Sequence, residues 1–438
     1  MDVAPFKMSL YLPAQGASEI EATIIEWHVA EGDRFHKGQS LVQIDSAKSV
    51  FDFEAPCDGL AIRRFHLEGE TLSLTEPIME IETDDPAMRD WIPPAAAGET
   101  PTLGVEAAPA APAKNRLGEP IVFLGFGGYL PDRVVTNEEL VKDFPEITSE
   151  YIFQVTGIRE RHWAAMDEKP SDMAYKAALE AIRASGVAAK EIDAVIVATT
   201  TPDMAMPSTA AILQDRLNLQ MIPGFDLNAA CSGWLYAVSA AQGMILSGTA
   251  NTVLTVGVDM QSQLLDKSDR SAYFLFGDGA GAAILSSGGD RRRIRQIVLG
   301  ADTRGLQLAR REEPGYLIRN GHTVDPWIRI DGHALFRFAT ESFTTIIRQT
   351  LAKSGWNLDD PRWIIPHQAN GRIIKAAAKR SGIGFERFIL NVDHVGNTSS
   401  ASIPLAIIES DELLKPGDKL ILCSVGAGMS TAAIAVEW

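Results

Sequence analysis

Three short stretches carry side chains whose types could do chemistry together. In "GFDLNAACSGWLYAVSAA" an apolar run passes through small residues to Cys231, and a helix-like stretch follows from Gly233. A thiol at that point sits at a helix N-terminus, where the macrodipole favours thiolate and lowers the cysteine pKa, giving a nucleophile. "WIIPHQANGRI" sets His367 where a strand-like run ends, and "NVDHVGNTSSASIPLA" sets Asn397 in a polar loop ahead of another helix. All three fall just beyond apolar runs, the C-terminal strand ends where open α/β sheets place ligands. A fourth residue stands apart. Lys48, in "QIDSAKSVFDFEAPCDG", lies between two runs of strand character, so a hairpin tip is expected there, exposed and within reach of a modifying enzyme. Cys423, inside "KLILCSVG", reads as a buried structural cysteine.

The elements that must position these residues fall into three parts. Residues 1–84 read as short β runs broken by Gly and Asp turns. Residues 85–117, "DPAMRDWIPPAAAGETPTLGVEAAPAAPAKN" at their core, are rich in Ala and Pro and lack hydrophobic periodicity. Such a stretch buries too little apolar area to fold; at a polyproline rise it reaches on the order of 90 Å, and it reads as a tether. From 118 to 438, apolar runs ("PIVFLGFGGYL", "DAVIVATTT", "TVLTVGVD", "AAILSS", "WIIPH", "KLILCSVGAG") alternate with helical stretches such as "SDMAYKAALEAIRASG" and "ALFRFATESFTTIIRQTLAKSG". Buried parallel strands interleaved with helices predict an α/β domain, and the pattern recurs before and after about residue 290, which suggests duplicated halves.

Composition narrows the field. The chain has 438 residues, 46% hydrophobic and 22% charged, ample for two or three domains with a large core. A formal net charge of −17 without a long basic stretch argues against nucleic acid. No apolar run approaches the length of a membrane span, no basic and apolar leader opens the chain, and three scattered cysteines fit a reducing cytoplasm rather than a disulfide framework.

The front segment, "EWHVAEGDRFHKGQSLVQIDSAKSVFDFEAPCDGLAIRRFHLEGETL", resembles a lipoyl/biotinyl-type carrier domain of the small all-β hammerhead kind. The resemblance rests on the "V-x-EGD" turn, "DSAKS" and "AP-x-x-G", and puts the family's attachment lysine at Lys48. The family commonly has Asp before that lysine, where this chain has Ala47. A biotinyl domain would flank it with Met, where Ala47 and Ser49 stand. Lipoate, biotin or an unmodified lysine all remain open on the sequence alone.

The remainder, 118–438, resembles β-ketoacyl-ACP synthase III of the thiolase superfamily. The resemblance rests on the three catalytic stretches with "TTPDMAMPSTAA", "FLFGDGAGAAIL" and "SVGAGMSTAAIAV", in the family's order. It implies a five-layer αβαβα fold with duplicated halves, a homodimer, no metal, and a cytoplasmic acyltransferase of lipid metabolism. By that resemblance Cys231 accepts an acyl group from a thioester primer, and His367 and Asn397 hold the enolate formed when a malonyl extender on acyl carrier protein loses CO₂. The oxyanion hole falls on the backbone N–H groups of Cys231 and Ala427. Asn370 matches a residue that contacts the phosphopantetheine arm, and Met206 takes a position in the acyl pocket. Arg337, Arg372, Lys379 and Arg380 match a basic surface for docking acyl carrier protein.

One departure bears on the donor. In "TSEYIFQVTGI" Tyr151 and Val155 stand where the family places a Trp and an Arg against CoA adenine. Val cannot stack or pair with phosphate as Arg does. The donor is therefore expected to be an acyl-lipoyl group on Lys48, loaded by a 2-oxo acid dehydrogenase component or a related enzyme, with acyl-CoA as the weaker choice; a tether offers roughly millimolar effective concentration. Two alternatives remain: another thiolase-superfamily acyl transfer, non-decarboxylative or to a small nucleophile, and a non-catalytic lipoyl scaffold.

Overall fold

The computed structural model describes residues 5–12, 21–46, 50–73, 76–88, 118–312, 321 and 323–438. They divide into two units, 1–111 and 112–438. In the first, short apolar alternations make eight strands: β1 (Phe6–Leu10), β2 (Glu21–Trp27), β3 (Arg34–Phe35), β4 (Ser40–Ser46), β5 (Val50–Glu54), β6 (Gly59–Arg64), β7 (Thr71–Ser73) and β8 (Met79–Thr83). Two four-stranded antiparallel sheets result, in the orders β1-β8-β6-β3 and β5-β4-β2-β7. The period of two is plain in β8, where Met79, Ile81 and Thr83 point inward and Glu80 and Glu82 do not. Leu10, Ile24, Phe35, Leu41, Ile44 and Ile78 fill the space between. Strands β4 and β5 pair antiparallel as expected, with Asp45 opposite Val50; Lys48 itself lies outside the described residues. Met88, beyond residue 84, is buried in the same core. Of the expected tether, residues 89–117 lie outside the described ones.

The second unit is built on one nine-stranded mixed sheet. Its strands are β9 (Ile121–Tyr129), β12 (Ala194–Ala198), β13 (Gly224–Leu227), β14 (Thr252–Asp259), β15 (Gly279–Ser287), β16 (Arg293–Ala301), β19 (Trp363–Pro366), β20 (Lys419–Val425) and β21 (Ser430–Glu437). Two hairpin-like pairs lie outside it: β10 (Arg133–Thr136) with β11 (Glu160–Trp163), and β17 (Ala309–Arg310) with β18 (Arg329–Ile330). The helices are α1 (Asn137–Leu140), α2 (Ser149–Thr156), α3 (Pro170–Ser185), α4 (Thr209–Arg216), α5 (Gly233–Ser247), α6 (Arg270–Tyr273), α7 (Gly332–Ser354), α8 (Gly371–Ser381), α9 (Val392–Val395) and α10 (Ser402–Glu409).

Sheet order β13-β12-β14-β15-β9-β16-β21-β20-β19 contains the same unit twice. In each half the first strand lies antiparallel to the last, the last antiparallel to the one before it, and that one parallel to an earlier strand. An outermost strand, β13, closes the first half, and a bridge from Phe388 to Ile364 takes its place in the second. The expectation of parallel strands therefore holds only for β13-β12-β14 and β19-β20. An apolar run reports burial on both faces, and that is common to both directions.

Alternation along these strands makes the layers. In β12, Val195 and Val197 face a core with Met173, Ala177 and Leu213 of α3 and α4, whereas Ala194, Ile196 and Ala198 face Trp234 and Val238 of α5. In β20, Leu420 and Leu422 share that central core with Ile403 and Ile407 of α10, whereas Ile421 and Cys423 face Phe343 and Ile374 of α7 and α8. Cys423 is thus the buried structural thiol expected. The two halves of the sheet, joined between β9 and β16 by the one pair Val122 and Arg293, form separate layers, so helix, half-sheet, helix, half-sheet, helix gives five, with both central helices leading away from chemistry-bearing turns. Among the described residues, no helix is long and apolar enough to cross a membrane.

Candidate active site

Cys231, His367 and Asn397 line one cavity of about 1390 Å³. Cys231 sits in the tight turn between β13 and α5, where Ala230 is held at φ 48°, a left-handed conformation costing an alanine about 1–2 kcal/mol. The second half holds that turn in place. Ser424 Oγ donates to Cys231 O at 2.9 Å, Ser430 Oγ to Ala229 O at 2.7 Å, and Ser232 Oγ to Ser430 O at 3.2 Å. A Cβ added to Gly426 would stand 2.9 Å from the backbone N of both Cys231 and Ser232, so only glycine lets the 426–428 main chain come this close. Ala427, whose N–H was expected in the oxyanion hole, follows directly and lines the cavity with Gly426 and Gly428.

His367 directly follows β19, its backbone N–H donating to Cys423 O at 2.7 Å. Its side chain is buried and its Nδ1 lies 2.7 Å from Ser402 Oγ, the first residue of α10. Burial holds the imidazole neutral, its pKa lowered to about 3. In the tautomer in which the Ser402 hydroxyl donates to Nδ1, the neutral ring carries its single proton on Nε2. Asn397 follows α9 rather than a strand; the sequence expectation of a strand end fails here because the peptide continues through a helical turn. Its Oδ1 accepts from Ser399 N at 2.9 Å and its Nδ2 donates to Ala369 O at 3.3 Å, which fixes the amide and leaves one N–H for a ligand. Ser399, itself at φ 51°, donates from Oγ to Cys231 Sγ at 3.5 Å.

The expected low thiol pKa is not found. Burial pushes the Cys231 thiol up to about 12, with the Asp259 carboxylate adding to the rise and the Ser399 hydroxyl opposing it. A helix N-terminus supplies up to about 1 kcal/mol to an anion, while taking one out of water costs several, so desolvation wins. A protonated resting thiol suits transfer from one thioester to another: its proton leaves on the donor's departing sulfur, and no net charge is created.

The other expected residues are distributed unevenly. Asn370 lines the cavity and caps α8, its Oδ1 accepting from Arg372 N at 2.8 Å and its Nδ2 donating to Val155 O at 3.3 Å. Tyr151, half exposed, and Val155 line the same cavity. Met206 is 81% exposed on the loop between β12 and α4 and is not part of the lining in the single chain, where the apolar side chains are Phe274, Phe276, Ile328, Ile330 and Phe343. Arg337 on α7 and Arg372 on α8 line the cavity and are exposed, whereas Lys379 and Arg380 lie farther along the exposed face of α8, with Arg380 3.9 Å from Glu341. Sequence reading missed Ser399, Ser402, Ser424 and Gly426; the serine run "NTSSAS" was the signal for the first two and "SVGAG" for the others. Among the described residues, no group of three or more His, Cys, Asp or Glu could hold a metal.

Comparison with known proteins agrees with this geometry. The family described as 3-Oxoacyl-[acyl-carrier-protein (ACP)] synthase III matches residues 225–303, its C-terminal counterpart residues 351–438, and a family described as Biotin-requiring enzyme, of biotin/lipoyl type, residues 9–84. Beta-ketoacyl-[acyl-carrier-protein] synthase III of Laribacter hongkongensis is 42% identical over 312 residues, covering 70% of this chain and 96% of the relative. That of Staphylococcus saprophyticus is 41% identical, covering 72% and 97%. The crystal structure of 3-oxoacyl-[acyl-carrier-protein] synthase III from Aquifex aeolicus superposes with a TM-score of 0.68 at 36% identity, over 73% of this chain and all of that one. The chain belongs to the β-ketoacyl-[acyl-carrier-protein] synthase III family, an acyltransferase of thiolase fold, and carries a biotin/lipoyl-type domain ahead of it.

Proposed function

We propose that the chain condenses an acyl thioester primer with a malonyl-type extender on acyl carrier protein, releasing CO₂. The observation that carries this reading is the meeting of a thiol, a neutral imidazole and an oriented carboxamide in one cavity. Cys231 takes the acyl group and the donor leaves as a thiol. The malonyl thioester then loses CO₂, and His367 Nε2–H and Asn397 Nδ2–H hold the enolate oxygen, neither giving up a proton. The enolate carbon attacks the acyl-Cys231 carbonyl, whose oxyanion meets the Cys231 and Ala427 amides; collapse expels the cysteine sulfur, which takes up one proton. The test follows acylation of Cys231 by intact mass and CO₂ release from a malonyl carrier. Asn397→Ala and His367→Ala should acylate yet release no CO₂; CO₂ release at the wild-type rate from both variants would refute the assignment.

We also propose that the primer comes from the chain's own N-terminal domain. The paired ends of β4 and β5 bracket Lys48, the fit expected of a lysine that holds a swinging group. Bound there, lipoate would supply a dithiol able to carry an acyl group as a thioester, loaded by a 2-oxo acid dehydrogenase component. Val155 at the cavity, where an Arg would favour CoA, supports the reading. Lys48→Ala should leave Cys231 acylation by a lipoyl donor in trans slow; full condensation by Lys48→Ala from CoA donors would sink the idea. Arg337 and Arg372 would draw the acidic acyl carrier protein to the mouth, and two copies would meet as a homodimer at the unpaired edge of β13, where Phe225 is exposed. Three free cysteines fit work in the cytoplasm.

A further inference from the structure

His394 is held on both ring nitrogens. Nδ1 lies 2.9 Å from Asp393 Oδ1, and Nε2 lies 2.8 Å from Glu409 Oε1. A neutral imidazole has one N–H and cannot donate to two carboxylates at once; two such bonds require the imidazolium. Glu409 is anchored in turn, its Oε2 accepting from Asn391 Nδ2 at 2.9 Å. Asp393 O accepts from Arg159 N at 2.7 Å, and the Arg159 guanidinium, stacked on Phe153, also bears on the Asp393 carboxylate.

The consequence lies in what this contact brackets. Asp393 and His394 belong to α9 and Glu409 to α10, so the ion pair joins the two helices that flank residues 396–402. That one stretch touches every member of the catalytic set. Asn397 comes from it, Ser399 Oγ donates to Cys231 Sγ at 3.5 Å, and Ser402 Oγ meets His367 Nδ1 at 2.7 Å. Sequence motifs do not point to His394, which lies outside the cavity lining.

We propose that Asp393, His394 and Glu409 form an ionic clamp that positions residues 397–402 for catalysis, with His394 acting as a permanent cation rather than as an acid or base. The two carboxylates raise the His394 pKa to about 10. The sign follows: a pKa above the unfolded value gives a contribution complete below about 6.5 and lost as pH rises through about 10. The side chain is 41% exposed, so truncating it opens no core cavity.

The proposal rests on the assignment of Cys231, His367 and Asn397 above, and Asn397→Ala is run beside the test to separate the two. In the full-length chain, CO₂ release from a malonyl carrier is measured for His394→Ala, Glu409→Gln and His394→Arg, with melting curves as a check on folding. The clamp predicts that His394→Ala and Glu409→Gln lower kcat on the order of 10-fold, short of the ~10² that a 1 Å misplacement can cost, with KM within about twofold. His394→Arg, still cationic and able to bridge two carboxylates, should recover most of the activity and should lack a wild-type decline that sets in near pH 10. If Asn397→Ala is inactive while His394→Ala and Glu409→Gln both stay within about twofold of wild type, the clamp is wrong and the catalytic assignment stands. If Asn397→Ala is fully active, both fall.

Discussion

Cys231 and Asn397 occupy equivalent turns of the two halves: each precedes the central helix of its half, α5 or α10, and each is steadied by the third strand of the other. In the first half, β14 ends at Asp259, whose buried carboxylate accepts from Ser400 N at 3.1 Å and Ser400 Oγ at 2.7 Å, beside Asn397. In the second, β20 carries Ser424, which donates to Cys231 O at 2.9 Å. Even the close approaches match. A Cβ on Gly257 would lie 2.4 Å from Ser400 O, as one on Gly426 would lie 2.9 Å from Cys231 N. Duplication supplied two identical cradles facing each other, and the difference lies in what each cradle offers. The carboxamide turn is bonded directly by a carboxylate, whereas the thiol turn is bonded by the Ser424 and Ser430 hydroxyls and feels Asp259 only through its charge.

The largest effect that would break this symmetry is Gly426→Ala. The new methyl displaces the Cys231 amide proposed to meet the oxyanion, so kcat should fall about 10²–10³-fold, the usual cost of one lost oxyanion donor. Gly257→Ala is the matched control: it presses on Ser400 O rather than on a reacting group, so it should lower stability by about 1–3 kcal/mol and show in the melting temperature before it shows in kcat. Equal losses of kcat from the two would mean that the halves are not functionally distinct.

Asp259→Asn comes next. The carboxylate also accepts from Thr200 N and Thr200 Oγ, both at 2.7 Å, and from Thr199 Oγ at 3.5 Å, so one amide cannot replace its five acceptor contacts, and a loss of about 1–3 kcal/mol is expected. Because its charge helps to raise the Cys231 pKa, the pH midpoint of iodoacetamide labelling at Cys231 should move down. A midpoint that stays put would show that desolvation alone sets the thiol.

Much of this scaffold was legible in the sequence because burial writes itself as apolar runs. β9, β12, β14, β15, β19 and β20, with α3 and α7, fall where the runs and helical periodicities put them. Strand direction was not legible, since Ala282 in an antiparallel pair and Val197 in a parallel one are equally buried and equally apolar. The three residues that meet in the cavity could be singled out because Cys, His and Asn each ended or followed an apolar run. The thiol's ionisation could not, because a helix start is visible in "CSGW" but the depth of the cavity around it is made by residues more than a hundred positions away, such as Phe343 and Val425. Met206 was placed by its matched position alone, and in the single chain it is exposed rather than part of the cavity lining.

Ser402→Ala sharpens the comparison from the second half. Without the hydroxyl, Nδ1 of His367 loses its partner and the ring can place its proton on either nitrogen, so kcat should drop on the order of 10-fold with little change in the acylation of Cys231. The smallest effect expected is in the acid range, and it tests the neutrality of His367 itself. Its pKa is lowered to about 3 by burial, so the ring keeps its single N–H throughout the range in which a solvent-exposed histidine would titrate. The rate of CO₂ release should therefore show no inflection near pH 6.5. Stability should behave differently: a pKa below the unfolded value gives a contribution that is complete above about 6.5 and is lost as pH falls toward about 3, because the unfolded chain takes up the proton that the folded one refuses. A melting temperature that declines below pH 6.5 while the rate holds level is the expected signature, whereas a rate inflection at that pH would mean that the imidazole is charged in the working enzyme and holds the enolate as a cation.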